Sequence, residues 1–286
     1  MTIAYEKLKN RKFEDVVQTY GTRDTLLYAI GVGCGDDPTD PRDLRFAYEE
    51  DLQALPTMAA VLCSPGFWLK QPDTGVDWRH VLHGEQFLSI HRPLSPSGKL
   101  IGRQHIEEVV DKGPGRGALI YVKRELTDAE TGELVCTVGL SSFARADGGF
   151  GGPSGPTKPV HKIPDRAPDV ACDLATWKHS ALIYRLNGDY NPLHADPAIA
   201  TAAGFERPIL HGLCTYGVAG RALVRSLCGN DASRLRELNV RFSAPVYPGE
   251  TIRTEMWKEG EGVAGFRCRV VERNLVVLDN GLAKFQ

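Results

Sequence analysis

The alternation of apolar and polar positions is clearest in the second half of the chain. In ELNVRFSAPV (237–246), Leu238, Val240 and Phe242 fall on one face. Asn239, Arg241 and Ser243 fall on the other, the period-two pattern of a half-buried strand. PVYPGE reads as a turn, and TIRTEMW, GFRCRVV and LVVLDNGLAKF read as further strands. Ahead of them, LCTYGVAGRALVRSLC (213–228) has apolar or small residues at helical spacing and stops at Gly229. Gly217 and Gly220 are poor helix formers, by up to about 1 kcal/mol each against Ala. Their presence predicts close packing of this helix against a sheet. Asp196 followed by Pro197 reads as the N-cap and first position of a short helix, PAIATAA, ending near Gly204. The first half offers strands in LIYVKREL and LVCTVGLSSFARA, and a short helix near LPTMAAVLC. One helix followed by an antiparallel meander is an α+β unit.

The two halves echo each other. LLYAIGVGCGDDP and LIYRLNGDYNP each run from an apolar segment with Tyr into Gly-Asp and then Pro. HRPLSPSGKLIGRQHIEEV and SAPVYPGETIRTEMWKE share Pro-apolar-X-Pro, then Gly, then a strand-like run. Tyr28 and Tyr184 stand 156 positions apart, Pro93 and Pro245 152 apart. Matching offsets point to an internal duplication, the alternative being chance recurrence of turn residues. Between the copies, RADGGFGGPSGPTKPVHKIPDRAPD is rich in Gly and Pro and reads as a linker. The expected organisation is a first half at 1–147, a linker at 148–165 and a second half at 166–286.

Composition narrows the function class. The 286 residues are 42% hydrophobic and 24% charged, with a formal net charge of −2, so neither nucleic acid nor an anionic membrane has electrostatic support as a partner. No apolar run approaches the roughly 18–20 residues of a membrane span. The charged start, MTIAYEKLKNRKFEDV, does not resemble a secretory signal, and GLAKFQ carries no peroxisomal tripeptide. The seven cysteines are dispersed without CxxC pairs, which fits reduced thiols in a cytoplasmic protein rather than disulfides or a metal site.

Candidate chemistry sits in GDYNPLH, where Asp189, Asn191 and His194 share one turn-prone loop. Asp, Asn and Gly are ordinary turn residues, and taken alone the loop is just as well a turn. Across a loop containing Pro192, however, Asp189 and His194 can aim at one water and move its proton. Asn191 cannot titrate but can orient the imidazole or the water. No Ser or Cys beside the pair supplies a nucleophile. The first copy has Asp36 and Asp37 but no matching histidine, so a duplicated chain would carry one site. In LHG, Gly212 falls near the start of the long helix, where a free N–H backed by the helix dipole suits a developing enolate oxygen. It is equally placed to be a simple cap glycine. A water activator beside an oxyanion donor is equipment for adding water across a double bond conjugated to a carbonyl.

The segment YRLNGDYNPLHADPAIATAAGFERPILHGLCTYG resembles the signature of the hydratase 2 family, the MaoC-like enoyl-CoA hydratases. Tyr184, Gly188, Asp189, Asn191, Pro192, His194 and Ala200 match its pattern, while Asn187 departs from the usual Ser, Thr, Gly or Cys. YAIGVGCGDDP, FAYEED, LPTMAAVL, LHGEQFLSIHRPL and VRFSAPVYPGETI extend the resemblance over nearly the whole chain. It implies a double hot-dog fold, in which two antiparallel sheets each wrap a helix. It implies reversible hydration of trans-2-enoyl-CoA to (3R)-3-hydroxyacyl-CoA by a hydro-lyase with no metal or redox cofactor. It further implies Asp189 and His194 as the catalytic pair, Asn191 as their support, and the Gly212 N–H as donor to the thioester oxygen. His83, Gly84, Lys112, Tyr190 and Phe242 match positions that contact the acyl-CoA. Read from the residues alone, Lys112 is just as well a solvated lysine and Phe242 a core residue.

Two other readings compete. A hot-dog thioesterase needs a carboxylate on the central helix, and LCTYGVAGRALVRSLC has none. A non-catalytic acyl-CoA-binding subunit would be signalled by loss of the Asp/His pair, and both residues are present. Further expectations are a homodimer that covers exposed sheet edges and an acyl tunnel beside the short first-half helix. Met58, Val61 and Leu62 would line that tunnel or else pack an ordinary core.

Overall fold

The computed structural model describes residues 2–286. The first half runs α1 (Tyr5–Lys9), β1 (Val16–Tyr20), α2 (Thr22–Gly31), α3 (Pro41–Ala47), β2 (Val81–Ile90), β3 (Gly98–Asp111), β4 (Ala118–Asp128) and β5 (Leu134–Ala144). The second half runs β6 (Val170–Ala175), α4 (Ser180–Tyr184), α5 (Pro197–Ala202), α6 (Gly212–Leu227), β7 (Leu235–Phe242), β8 (Thr251–Gly260), β9 (Val263–Val270) and β10 (Leu275–Phe285). The strands form one antiparallel sheet in the order β1-β3-β4-β5-β2-β7-β10-β9-β8-β6. Read outward from the seam, each half repeats the same permutation, so the duplication heard in the sequence is a duplication of topology. β2 and β7 join the halves from Glu85↔Arg241 to Ser89↔Glu237. This is the α+β double hot-dog fold. Tyr28 and Tyr184, paired by the sequence echo, meet across the two halves with ring centroids 6.0 Å apart.

α6 is the long central helix, buried without a break from Cys214 to Val224. Its glycines do permit close approach, though chiefly to helical neighbours and less to the sheet. A Cβ at Gly217 would lie 2.5 Å from Val32 Cγ1, and one at Gly220 2.5 Å from Thr57 Cγ2. Both contacts come from the first half, so α6 serves as core for the whole molecule. Its first-half counterpart, the segment read as a short helix, is a single 3-10 turn at Pro56–Ala60. Arg124 on β4 donates to Ala60 O at 2.8 Å, and Gln18 Oε1 accepts from Cys63 N–H at 2.6 Å. These polar groups, Arg124 buried and Gln18 half-buried, lie beside the shortened turn. Met58 and Leu62 belong to the main core cluster, with Val61 packed against it. The three residues therefore pack in or against the core.

Between β5 and β6 lie only turns and extended chain. This segment is nevertheless anchored. The Asp111 carboxylate accepts from the N–H groups of Gly113, Gly149 and Gly151 at 2.7–2.8 Å. Those bonds, led by Gly149, hold its carboxyl below the usual range. Lys158 pairs with Glu107 at 2.6 Å and lies over the Phe87 ring, and His161 pairs with Glu259 at 3.0 Å. The chain thus straps across the β2–β7 seam. β1 and β6 are not visible in the sequence pattern, since five or six residues give too few alternations to read.

Candidate active site

The loop between α4 and α5 is built from turn chemistry. Gly188, at φ +113°, closes the 3-10 turn Arg185–Asn187 in a conformation that favours glycine. Asn187, the departure from the family pattern, donates to Tyr184 O at 3.0 Å and so stabilises that turn. Asn191 Oδ1 accepts from Leu193 N–H at 3.2 Å and caps the next 3-10 turn, Pro192–His194. The side-chain oxygen of Asn191 thus serves the turn. The residue is exposed, and it shapes the turn that delivers His194. Its own N–H donates to Asp189 Oδ1 at 3.2 Å.

His194 is buried, with Nδ1 2.9 Å from Ile209 O. A carbonyl only accepts, so Nδ1 carries the proton and Nε2 keeps its lone pair. Burial, partly offset by the Ile209 bond and the Asp189 charge, pulls its pKa below the ordinary histidine value. His211, 1% exposed, stacks on it with centroids 3.8 Å apart and planes 29° apart. Ligand-type atoms of Asp189, His194 and His211 all lie within 4.8 Å of one another. Those are metal-binding residue types. The imidazoles lie face to face, and one nitrogen of each is engaged by a main-chain carbonyl.

Gly212 opens α6, and no side chain caps that end of the helix. Its N–H lies where a helix offers no internal acceptor and where the macrodipole is positive. A Cβ on Gly212 would come 3.2 Å from Phe242 Cε1. The Phe242 ring in turn packs on His83 at 4.5 Å. His83 reaches this face through a β-bulge. The β2–β5 register slips between His83↔Ser142 and Glu85↔Ser141, leaving Gly84 as the extra residue. Gly84 itself is packed tight, since a Cβ would meet Ser141 Oγ at 2.7 Å. Desolvation pushes the His83 pKa down to about 4, against smaller upward pulls from the Glu85 carbonyl and the Asp189 charge. Asp189, His194, Gly212, His83 and Phe242 thus form one cluster drawn from both halves.

Tyr190, next to Asp189, is exposed, with the Arg185 guanidinium 5.2 Å from its ring. Lys112 does not join the cluster. It follows β3, at the same end of the sheet as His83 but three strands away through the pairs Asp111↔Ala118, Ala118↔Ala144 and Val81↔Ala144. At about 4.8 Å per strand that is about 14 Å. His211 and Arg185 were not singled out by the sequence reading. The available signal was His211 itself, a bulky residue at a helix N-cap where Ser, Thr, Asp or Asn is usual.

A family model described as "MFE-2 hydratase 2 N-terminal domain" matches residues 18–146, and one described as "MaoC like domain" matches residues 159–280. A relative from Mycobacterium tuberculosis, 3-hydroxyacyl-thioester dehydratase Y, is 43% identical over 281 residues, covering 95% of this chain and 95% of its own. The chain belongs to the MaoC-like hydratase 2 family. The peroxisomal enoyl-CoA hydratase 2 of Arabidopsis thaliana is 39% identical over 93% of this chain and 91% of its own. Among solved structures, a MaoC-like dehydratase from Phytophthora capsici superposes with a TM-score of 0.86 at 37% identity, covering 98% of both chains. In this family member Asp189, His194 and the bulge histidine lie near one another, and no helix among the described residues is long and apolar enough to cross a membrane.

Proposed function

We propose that the protein hydrates trans-2-enoyl-CoA reversibly to (3R)-3-hydroxyacyl-CoA, with Asp189 and His194 as the catalytic pair. The observation that carries this is the free Nε2 of a buried, neutral His194 beside the Asp189 carboxylate and the uncapped Gly212 N–H. A water held between carboxylate and imidazole loses a proton to the pair as its oxygen bonds C3 of the enoyl group. The C2–C3 π electrons move toward the thioester carbonyl, and the Gly212 N–H donates to the oxygen that gains charge. The pair then returns a proton to C2. Atoms and charge balance without an electron acceptor, so the reaction calls for no redox cofactor, and the acid–base pair does the work a metal-bound water would do. His83 and Phe242 wall the cleft beside the acyl group. Gly84 acts through the bulge that aims His83. Tyr190 stands at the entrance, and Lys112, about 14 Å from the β2 strand, meets the distal part of the CoA.

The carboxylate-free α6 disfavours thioesterase chemistry. Crotonyl-CoA separates the readings: hydration removes the conjugated thioester absorbance with no free thiol released. Thiol release would indicate a thioesterase, and no change at all an acyl-CoA-binding subunit. The seven free cysteines, six of them buried, fit a reducing compartment, and we assign a cytoplasmic location. A homodimer completes the proposal. The sheet ends in β1 and β6, whose outer backbone groups lack strand partners, and Val17 on β1 is exposed. Sedimentation is expected to give twice the 31.4 kDa chain mass, and a stable monomer overturns the dimer.

A further inference from the structure

We infer that His211 is a positioning residue that ties the proton-transfer pair to the oxyanion donor, an inference that rests on the reaction proposed above. One residue touches all three parts of the site. Its Nε2 lies 3.1 Å from Asp189 O, so Nε2–H donates there and fixes the main chain from which the Asp189 carboxylate projects. Its ring stacks on His194 at 3.8 Å, which restrains the imidazole against rotation out of the cleft. Its own carbonyl accepts from the N–H groups of Cys214 and Thr215 at 3.0 and 3.1 Å, opening the helix whose first residue is Gly212. The Tyr184 ring backs it at 5.0 Å on another side.

Two features argue against His211 as mere filling. Its Nδ1 is buried with no hydrogen-bond partner, a state that lowers stability. A phenyl ring would occupy similar space without leaving that nitrogen orphaned, so packing alone does not select an imidazole here. Burial, assisted by neighbouring His194, also holds its pKa down to about 4. It therefore stays neutral at working pH and neither captures the proton meant for His194 nor places a cation against it. The groups facing it are Asp189, His194, Arg185 and Tyr184.

The test uses two variants with complementary losses, measured on crotonyl-CoA beside His194→Gln. His211→Phe keeps an aromatic ring and loses the donor. His211→Gln keeps a donor that can reach Asp189 O and loses the stacked ring. His211→Phe is expected to lower kcat by roughly 100-fold, the effect of a misplaced reacting group, while KM changes by less than about threefold. His211→Gln is expected to recover part of kcat. The Asp189 charge raises the His194 pKa. A carboxylate released by His211→Phe thus lets the acid limb of the kcat/KM profile move to lower pH. Folded variants with kcat within twofold of wild type, or equal losses in both with an unmoved acid limb, overturn the inference. If His211→Phe does not fold, the same two readouts on His211→Gln decide. Should His194→Gln itself turn over normally, the catalytic assignment has failed. If His194→Gln is inactive and the His211 variants behave as wild type, only the role of His211 has failed.

Discussion

Asp189→Asn and His194→Gln are each expected to cut turnover of crotonyl-CoA by roughly 10²–10⁴, the weight of one positioned acid or base. Both substitutions keep size and hydrogen-bonding shape, so folding and acyl-CoA binding should persist. His211 is neutral and uses Nε2 on Asp189 O, and His83 places its Nε2 3.1 Å from Glu85 O. The pH profile adds a sign. Burial sets the His194 pKa below the ordinary histidine value. Protonation abolishes its lone pair, so kcat/KM should fall as pH drops through that lowered value and hold steady through neutrality. Steady-state rates of the two variants, with acyl-CoA binding measured separately, check the assignment. Near-normal turnover in either would falsify it.

The second large effect is on stability. Arg221 on α6 donates to Asp43 on α3 at 2.6 Å, with both side chains about 95% buried. Gly33, at φ +88°, makes room for the guanidinium, since a Cβ there would lie 3.0 Å from Arg221 Nη1. Removing one partner leaves a buried charge uncompensated. Asp43→Ala is therefore expected to lower unfolding free energy by roughly 3–5 kcal/mol, read from denaturant titration. The double variant Asp43→Leu with Arg221→Met should regain most of it, because an apolar pair of similar volume removes both charges together. A small loss in Asp43→Ala, or no recovery in the double variant, would show that water reaches the pair. This contact fastens the helix that carries Gly212 to the half that carries His83, so the geometry of the cleft depends on it.

Local chemistry made much of this protein legible in its sequence. The loop that carries Asp189 and His194 could be read because caps, prolines and glycines act within a few residues. Asp196 caps α5 through the N–H groups of Ala198 and Ile199, as its position before Pro197 implied. The long helix begins one residue earlier than its pattern suggested, and β10 spans the segment read for it. The duplication was audible because the same turns recur at nearly one offset. The length and type of α6 followed from sixteen residues of consistent periodicity.

Tertiary structure decided what depends on register and on contacts between distant segments. By simple alternation His83 shares a face with Glu85 and Phe87; one extra residue at Gly84 turns it to the face of Gln86, beside Phe242. A slip of one residue inverts a strand's faces, and a single sequence does not announce it. Asn191 caps a turn, its Oδ1 accepting from Leu193 N–H. Lys112 lies three strands from His83, a separation that only the strand order defines. The stacking of His211 on His194 joins residues seventeen positions apart through the packing of a loop on a helix end. The sequence by itself determined the chemistry available and the loop that holds it. The sheet determined which side chains share a cleft, because facing is set by hydrogen-bond register across strands and not by spacing along the chain.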